Sequence, residues 1–202
     1  MGLNRSVTET VKPYHHGDLR EQLLLAGEQA LGEMPVEQVT LREIARRAGV
    51  SHAAPKHHFS SMGELLGEIA ARGFVKFVDA LDQASKKNAV QSPEARLTAM
   101  GWAYLRFAEA NPAIYSLMFG KIDRMAITPN MLQSSMAAWS QLENAVADVI
   151  GQDRAATGAM HVWSSVHGLS MLKAEHRLPP HLTLHAAEAN LLRMMVAGLI
   201  ES

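Results

Sequence analysis

Residues 40–59, TLREIARRAGVSHAAPKHHF, restrict the possible folds more than any other stretch, because their caps, apolar spacing and central glycine describe two short helices joined by a tight turn. Thr40 and Glu43 form a capping box, in which the hydroxyl accepts from the third helical N–H and the carboxylate reaches back. Leu41, Ile44, Ala45 and Ala48 then recur at the spacing of one buried helical face. Gly49 ends that helix, since glycine enters the left-handed backbone region without a Cβ penalty. Val50 turns into the core and Ser51 caps a second helix, predicted over 51–59. Two helices joined by a short glycine-containing turn form the unit that lays its second member into the major groove of DNA.

The rest of the chain is predicted to be helical as well. Asp18 with Glu21 opens a helix over 18–31 whose stripe of Leu19, Leu23, Ala26 and Ala30 braces the helical pair, and Gly32 and Pro35 end it. Ser61 and Glu64 make a further capping box, from which Leu65, Leu66, Ile69, Phe74, Phe77, Val78 and Leu81 carry a connecting helix to Ala84. Ser85–Gln91 is a polar break. Ser92-Pro93, Asn111-Pro112 and Thr128-Pro129 each place proline at a first helical position, where its missing N–H would be unpaired anyway. The later spans are predicted at 93–110, 112–119, 129–150, 154–176 and 181–200. No segment alternates at period two, so the expectation is an all-α protein of about nine helices. Residues 1–60 would form a three-helix head, with a polar arm at 1–13, and residues 61–202 a helical ligand-binding and dimerisation domain.

Composition narrows the function classes. The 202 residues are 48% hydrophobic and contain no cysteine, which excludes disulfides, thiolate metal sites and cysteine nucleophiles. No apolar run reaches the ~18–20 residues of a membrane span, and residues 1–12 lack a signal-peptide pattern, so a cytoplasmic location is expected. Residues 1–60 carry seven Lys or Arg and seven Asp or Glu, so bulk charge cannot hold this head on DNA. Local arrangement must do it. No G-x-S-x-G elbow, phosphate-binding glycine loop or HExxH motif is present, which argues against an enzyme.

Taken together, the helix over 18–31, TLREIARRAGVS, the His58-Phe59 pair and the Ser61…Glu64-Leu65-Leu66 opening resemble a TetR-family transcriptional regulator over residues 14–75. The stretch WSSVHG at 163–168 is similar to a W…HG signature of one ligand-domain subgroup in that family. The resemblance implies a dimeric repressor that binds a palindromic operator in double-stranded DNA and is released by a small-molecule effector. It implies no cofactor and no metal. Two positions depart from the pattern. Lys56 stands where such regulators usually have tyrosine, and Met62-Gly63 where they usually have a lysine and an acid.

Ser51, His52, Ala53, Lys56 and His57 are the residues of the second helix able to reach DNA. His52 and Ala53 lie in its first turn, where an imidazole can bond a base edge and a methyl can touch thymine. Lys56 would contact phosphate, with His58 beside it. Thr40 and Arg42, at a helix N-terminus, and Tyr14, His15 and His16, just before the first helix, read as backbone clamps. Pro55 removes one backbone bond from the recognition helix.

Large adaptable side chains fill the C-terminal part: Met100, Tyr104, Phe107, Met118, Phe119, Trp139, Trp163, His167 and Met171. They fit a core, and they equally fit an apolar ligand pocket in which Tyr104, Trp163 and His167 orient the guest. His167-Gly168 likewise has two readings: ligand contact, or a structural pair in which glycine admits a neighbouring helix and histidine satisfies a buried carbonyl. The last two helices are apolar on more than one face, which calls for pairing with a second copy. The alternative to a regulator is a histidine-rich metal protein or metalloenzyme using His161, His167, His181 and His185.

Overall fold

A computed structural model describes residues 16–88, 90–120, 122–182 and 184–201, and all regular structure among them is helical. The head consists of α1 (His16–Glu33), α2 (Leu41–Arg47), a 3-10 turn at Ala54–His57 and the first half of α3 (Met62–Lys87). The second half of α3 continues into a bundle of α4 (Pro93–Ala110), α5 (Pro112–Phe119), α6 (Pro129–Ile150), α7 (Ala155–Ala174) and α8 (Leu184–Glu201). Eight α-helices are therefore seen among the described residues, and the ninth expected helix, over 51–59, is the 3-10 turn. The arm at 1–13 lies outside the described residues.

Local chemistry accounts for most boundaries. Thr40, Ser61, Ser92 and Thr128 each accept a hydrogen bond from the N–H three residues on. Gly49 has φ +68°, as the turn between α2 and the 3-10 segment requires. Three expectations need correction. First, α1 begins at His16, so Asp18 lies within the first turn of the helix and not before it. Second, α3 runs past Ala84 to Lys87, held by the Lys86–Asp82 pair one turn apart and by Asn88 Nδ2 donating to the Ala84 carbonyl at 2.8 Å. Third, Asn111 does not cap α5 with its side chain. It turns back instead, donating from Nδ2 to the Phe107 carbonyl at the end of α4.

Two apolar clusters share α3. In the head, Leu23 and Ala30 of α1, Val39, Ile44 of α2, Phe59 and Leu65, Leu66 and Ile69 of α3 are buried, and Leu117 of α5 joins them from the other side. In the bundle, Phe74, Phe77 and Leu81 of α3 meet Leu97, Met100 and Tyr104 of α4 and the inner faces of α7 and α8. Each fully buried leucine or phenylalanine contributes about 1.5–3 kcal/mol relative to exposure. One helix thus belongs to both cores.

The segment between α5 and α6 ties the two parts together a second time. It crosses α3 so closely that a Cβ on Gly63 would lie 2.3 Å from the Arg124 carbonyl oxygen, and one on Gly67 2.2 Å from that of Ala126. Both neighbours are backbone, so neither can swing aside. The Ala126 N–H donates to the Gly63 carbonyl at 3.0 Å, and the Arg124 guanidinium donates to the Val39 carbonyl of the head, also at 3.0 Å. Gly63, where the resemblance leads one to expect an acid, therefore has a structural reason: an acid there would block this strap.

Candidate functional site

The surface of the head is set by Pro55. Proline has no N–H, and in an α-helix its ring would clash with the carbonyl four residues back, here that of Ser51. The chain instead closes three-residue bonds: Ala54 N–H to Ser51 O at 3.0 Å, Lys56 N–H to Ala53 O at 3.2 Å and His58 N–H to Pro55 O at 3.0 Å. Pro55 itself is buried, as is Phe59, over which the Arg20 guanidinium stacks at 5.1 Å. This pair anchors the turn. Ser51, His52, Ala53, Lys56 and His57 are left exposed, and His58 is half-buried. At three residues per turn, Ala53 aligns with Lys56. The expected five-residue set is thus presented together, on a tighter scaffold than the α-helix predicted for it.

The charges of the head sort into two groups. Arg46 and Arg47 both bond Glu43, and Arg47 also bonds Glu33 at 2.7 Å. Hydrogen bonds from Arg46 and then Arg47 hold the Glu43 carboxyl down at about 2. Arg42 and Lys56 are exposed and have no ion-pair partner among the described residues. They are the cations of 40–59 left to meet phosphate, so neutral overall charge coexists with a locally positive surface. Thr40 is exposed, and its Oγ accepts from Glu43 N–H at 3.2 Å, which leaves its own proton to donate. Of the three expected clamps before α1, Tyr14 and His15 lie outside the described residues, and His16 is the first residue of α1.

Inside the bundle lies a cavity of about 210 Å³, bounded by α3, α4, α6 and α7 and by the end of α5. Five of the nine expected ligand residues line it: Met100, Tyr104, Phe119, Trp139 and Trp163. The other four do not. Phe107 is buried in the core against Phe77, with ring centroids 5.2 Å apart, and Met118 fills the crossing with α3 at Gly73. Met171 is half-buried against the core. His167 sits one layer behind the wall, its Nδ1 2.9 Å from the Tyr104 hydroxyl and 2.8 Å from that of Tyr115, which are 3.1 Å from each other.

His167 is thus satisfied by two phenols, not by the carbonyl that the spacing suggests. Burial lowers its pKa and so favours the neutral ring, and burial pushes the Tyr104 phenol up, out of its usual range. Gly168 also departs from expectation. Beyond its own helix, no atom of the described residues lies within 4 Å of where its Cβ would be, so among them no neighbouring helix packs against it.

Sequence reasoning missed most of the α3 wall, formed by Phe74, Phe77 and Leu81, and the aliphatic side from Leu97, Leu142, Val162 and Val166. The helical spacing of 74, 77 and 81 marks one face of α3, but nothing local says whether such a face meets a side chain or a void. Phe119 joins these walls. Its ring lies 5.3 Å from Phe74, 4.9 Å from Tyr115 and 5.1 Å from His167, and it is the last residue of α5 before the strap to the head.

The described histidines form no metal centre. His161 Nε2 bonds the Met195 carbonyl at 3.1 Å and His167 is engaged by tyrosines. Among the described residues no three His, Asp or Glu side chains gather to hold a metal ion. The metal-protein alternative therefore finds no support. No helix among the described residues is long and apolar enough to cross a membrane.

Comparisons with known proteins bear on both sites. Two sequence-family models match: Bacterial regulatory proteins, tetR family, over residues 23–69, and Tetracyclin repressor-like, C-terminal domain, over residues 97–199. Among solved structures, a protein of unknown function from Rhodococcus sp. RHA1 is 28% identical, with 95% of this chain and 98% of that one covered and a TM-score of 0.77. The TetR family transcriptional regulator PfmR from Thermus thermophilus shares the fold at 20% identity, with coverage of 90% and 98% and a TM-score of 0.61. So does the transcriptional regulator FadR from Bacillus subtilis, solved in complex with stearoyl-CoA, at 11% identity, coverage of 88% and 98% and a TM-score of 0.68. A comparison with curated proteins finds no match.

Proposed function

This chain belongs to the TetR family of bacterial transcriptional regulators, and on that footing we propose that it is a dimeric repressor released from a palindromic operator by a small apolar or mixed effector. The observation that carries this reading is the position of Phe119, which closes the cavity on one side and opens the strap to the head on the other. A guest that displaces the Phe119 ring pulls on residues 120–126, and through Arg124 and Ala126 on Val39 and Gly63.

In the operator complex, His52 and Ala53 meet base edges, while Ser51, Lys56, His57 and His58 hold the adjacent backbone. Thr40, Arg42, Tyr14, His15 and His16 clamp the flanking phosphates. Two copies pair through α7 and α8. Exposed apolar side chains on these helices, Met160 and Leu172 on α7 and Met194 and Ile200 on α8, favour that pairing, as does the open surface at Gly168. A two-fold dimer would present its reading turns about 34 Å apart, the spacing of successive major grooves. The effector acts only if it prefers the conformation that fits DNA poorly. That a protein of this fold was solved in complex with stearoyl-CoA supports a small-molecule effector.

Selection of bound fragments from genomic DNA by the full-length protein tests the reading. The expected result is enrichment of a two-fold symmetric site, with binding lost on addition of the effector. A protein that fails to retain any fragment at low salt, with and without candidate effectors, overturns it.

A further inference from the structure

Resting on the reading of the bundle cavity as the effector site, we propose that its effector is electrically neutral, a hydrocarbon or aromatic skeleton carrying no ionised group into the pocket. The fifteen described residues that line it include no Asp, Glu, Lys, Arg or His. The polar side chains that do reach the wall are already engaged. Ser135 donates to the Leu132 carbonyl at 2.9 Å, and the Tyr104 hydroxyl lies against His167 and Tyr115. The Trp139 indole N–H has no hydrogen-bond partner among the described residues, so it leaves place for a neutral acceptor on the guest.

Behind the wall the same neutrality holds. Burial keeps the two phenols protonated and favours neutral His167, so none of these three groups behind the wall offers a counter-ion. An ionised carboxylate or ammonium placed here would lose its hydration and gain neither a charge partner nor a free donor set, the costliest kind of burial. Dispersion contacts with Phe74, Phe77, Phe119, Trp139 and Trp163 instead reward aromatic and aliphatic surface. A ligand bearing a phosphate or carboxylate head would have to leave that head outside.

Equilibrium dialysis of the full-length protein against naphthalene, naphthalene-1-carboxylate, 1-naphthylmethylammonium and 1-naphthylmethanol at neutral pH tests the inference on one carbon skeleton. The two uncharged members are expected to bind at least about 100-fold more tightly than either ion. Ala138→Leu, which fills part of the wall, should weaken the uncharged pair, and Ser135→Leu provides a second filling variant should the first not fold. Ion binding as tight as that of the neutral molecules overturns the proposal. So does absence of binding by both neutral members, or binding that neither filling variant changes. No DNA is present in this measurement, so a neutral ligand that binds without releasing operator removes the switch and leaves the inference standing. Release by a charged ligand that binds in the cavity does the opposite.

Discussion

The Arg20 guanidinium of α1 donates to the Glu68 carboxylate of α3 at 2.6 Å, and the same carboxylate oxygen accepts from Asn130 of α6 at 2.9 Å. One nearly buried acid therefore holds the head helix, the shared helix and the start of α6 at a single point.

Burial opposes charge on Glu68, but the bonds from Thr128, Arg20 and Asn130 outweigh it and keep the carboxyl below its ordinary range. A depressed carboxylate adds stability that is fully present above the unfolded value of ~4.3 and is lost as pH falls through the folded one. Glu68→Ala should cost about 1–2 kcal/mol at neutral pH, because Asn130 loses its acceptor whereas Arg20, 40% exposed, can turn to water. Glu68→Gln should cost less and flatten the acid limb of stability. Urea titrations between pH 3 and 7 measure both.

Gly67→Ala places a methyl carbon 2.2 Å from the Ala126 carbonyl oxygen and 2.8 Å from Thr128 Cγ2. Since the nearer atom is backbone, the strap must lift, at a cost of about 1–3 kcal/mol. Effector affinity in the cavity should change little while the effector's influence on operator binding falls. Thermal unfolding gives the first quantity, and operator titration with and without saturating effector gives the second.

Lys56 and His52 occupy different roles on the same exposed turn. Lys56→Ala should weaken binding to all sequences alike and reduce the salt slope of log affinity by about one. His52→Ala should relax preference at particular bases and leave the salt slope unchanged. Parallel titrations against operator and scrambled duplex at several salt concentrations separate the two, and equal losses on every sequence from both variants would refute the assignment.

His167→Phe should destabilise the fold by about 1–2 kcal/mol at neutral pH, because Tyr104 and Tyr115 keep each other but one of the two hydroxyls loses Nδ1 as its acceptor. Burial lowers the His167 pKa, so the wild-type contribution is complete above the unfolded value of ~6.5 and declines as pH falls from there towards the folded value. The gap between wild type and variant should therefore narrow in mild acid. Denaturation at pH 7.5 and pH 5.5 provides the comparison.

Helix existence and most helix starts are legible in the residue order, because caps and apolar spacing act within one or two turns. The starts at Leu41, Met62, Pro93, Pro112 and Pro129 follow from Thr40, Ser61 and three prolines. The exposed reading set is legible for the same reason: Ser51, His52, Ala53, Lys56 and His57 are polar or small beside buried Pro55 and Phe59. In the sequence Pro55 reads as a local defect, whereas in the fold the loss of its N–H goes with three-residue bonding from Ala54 to His58, and a four-residue bond returns only at Phe59, whose N–H donates to the Pro55 carbonyl at 2.9 Å.

The cavity divides the expected ligand residues by a different physics. Met100 and Met118 have the same chemistry and similar burial, yet one faces a void and the other plugs the crossing at Gly73. Phe119 and Phe107 differ in the same way. Local propensity and amphipathic spacing are carried by neighbours in the chain, so they can be read in order along it. Where the helices leave a gap, which carbonyl oxygen passes over Gly63 and Gly67, and which phenols face His167 depend on contacts between residues tens of positions apart, and only packing of the assembled bundle decides them.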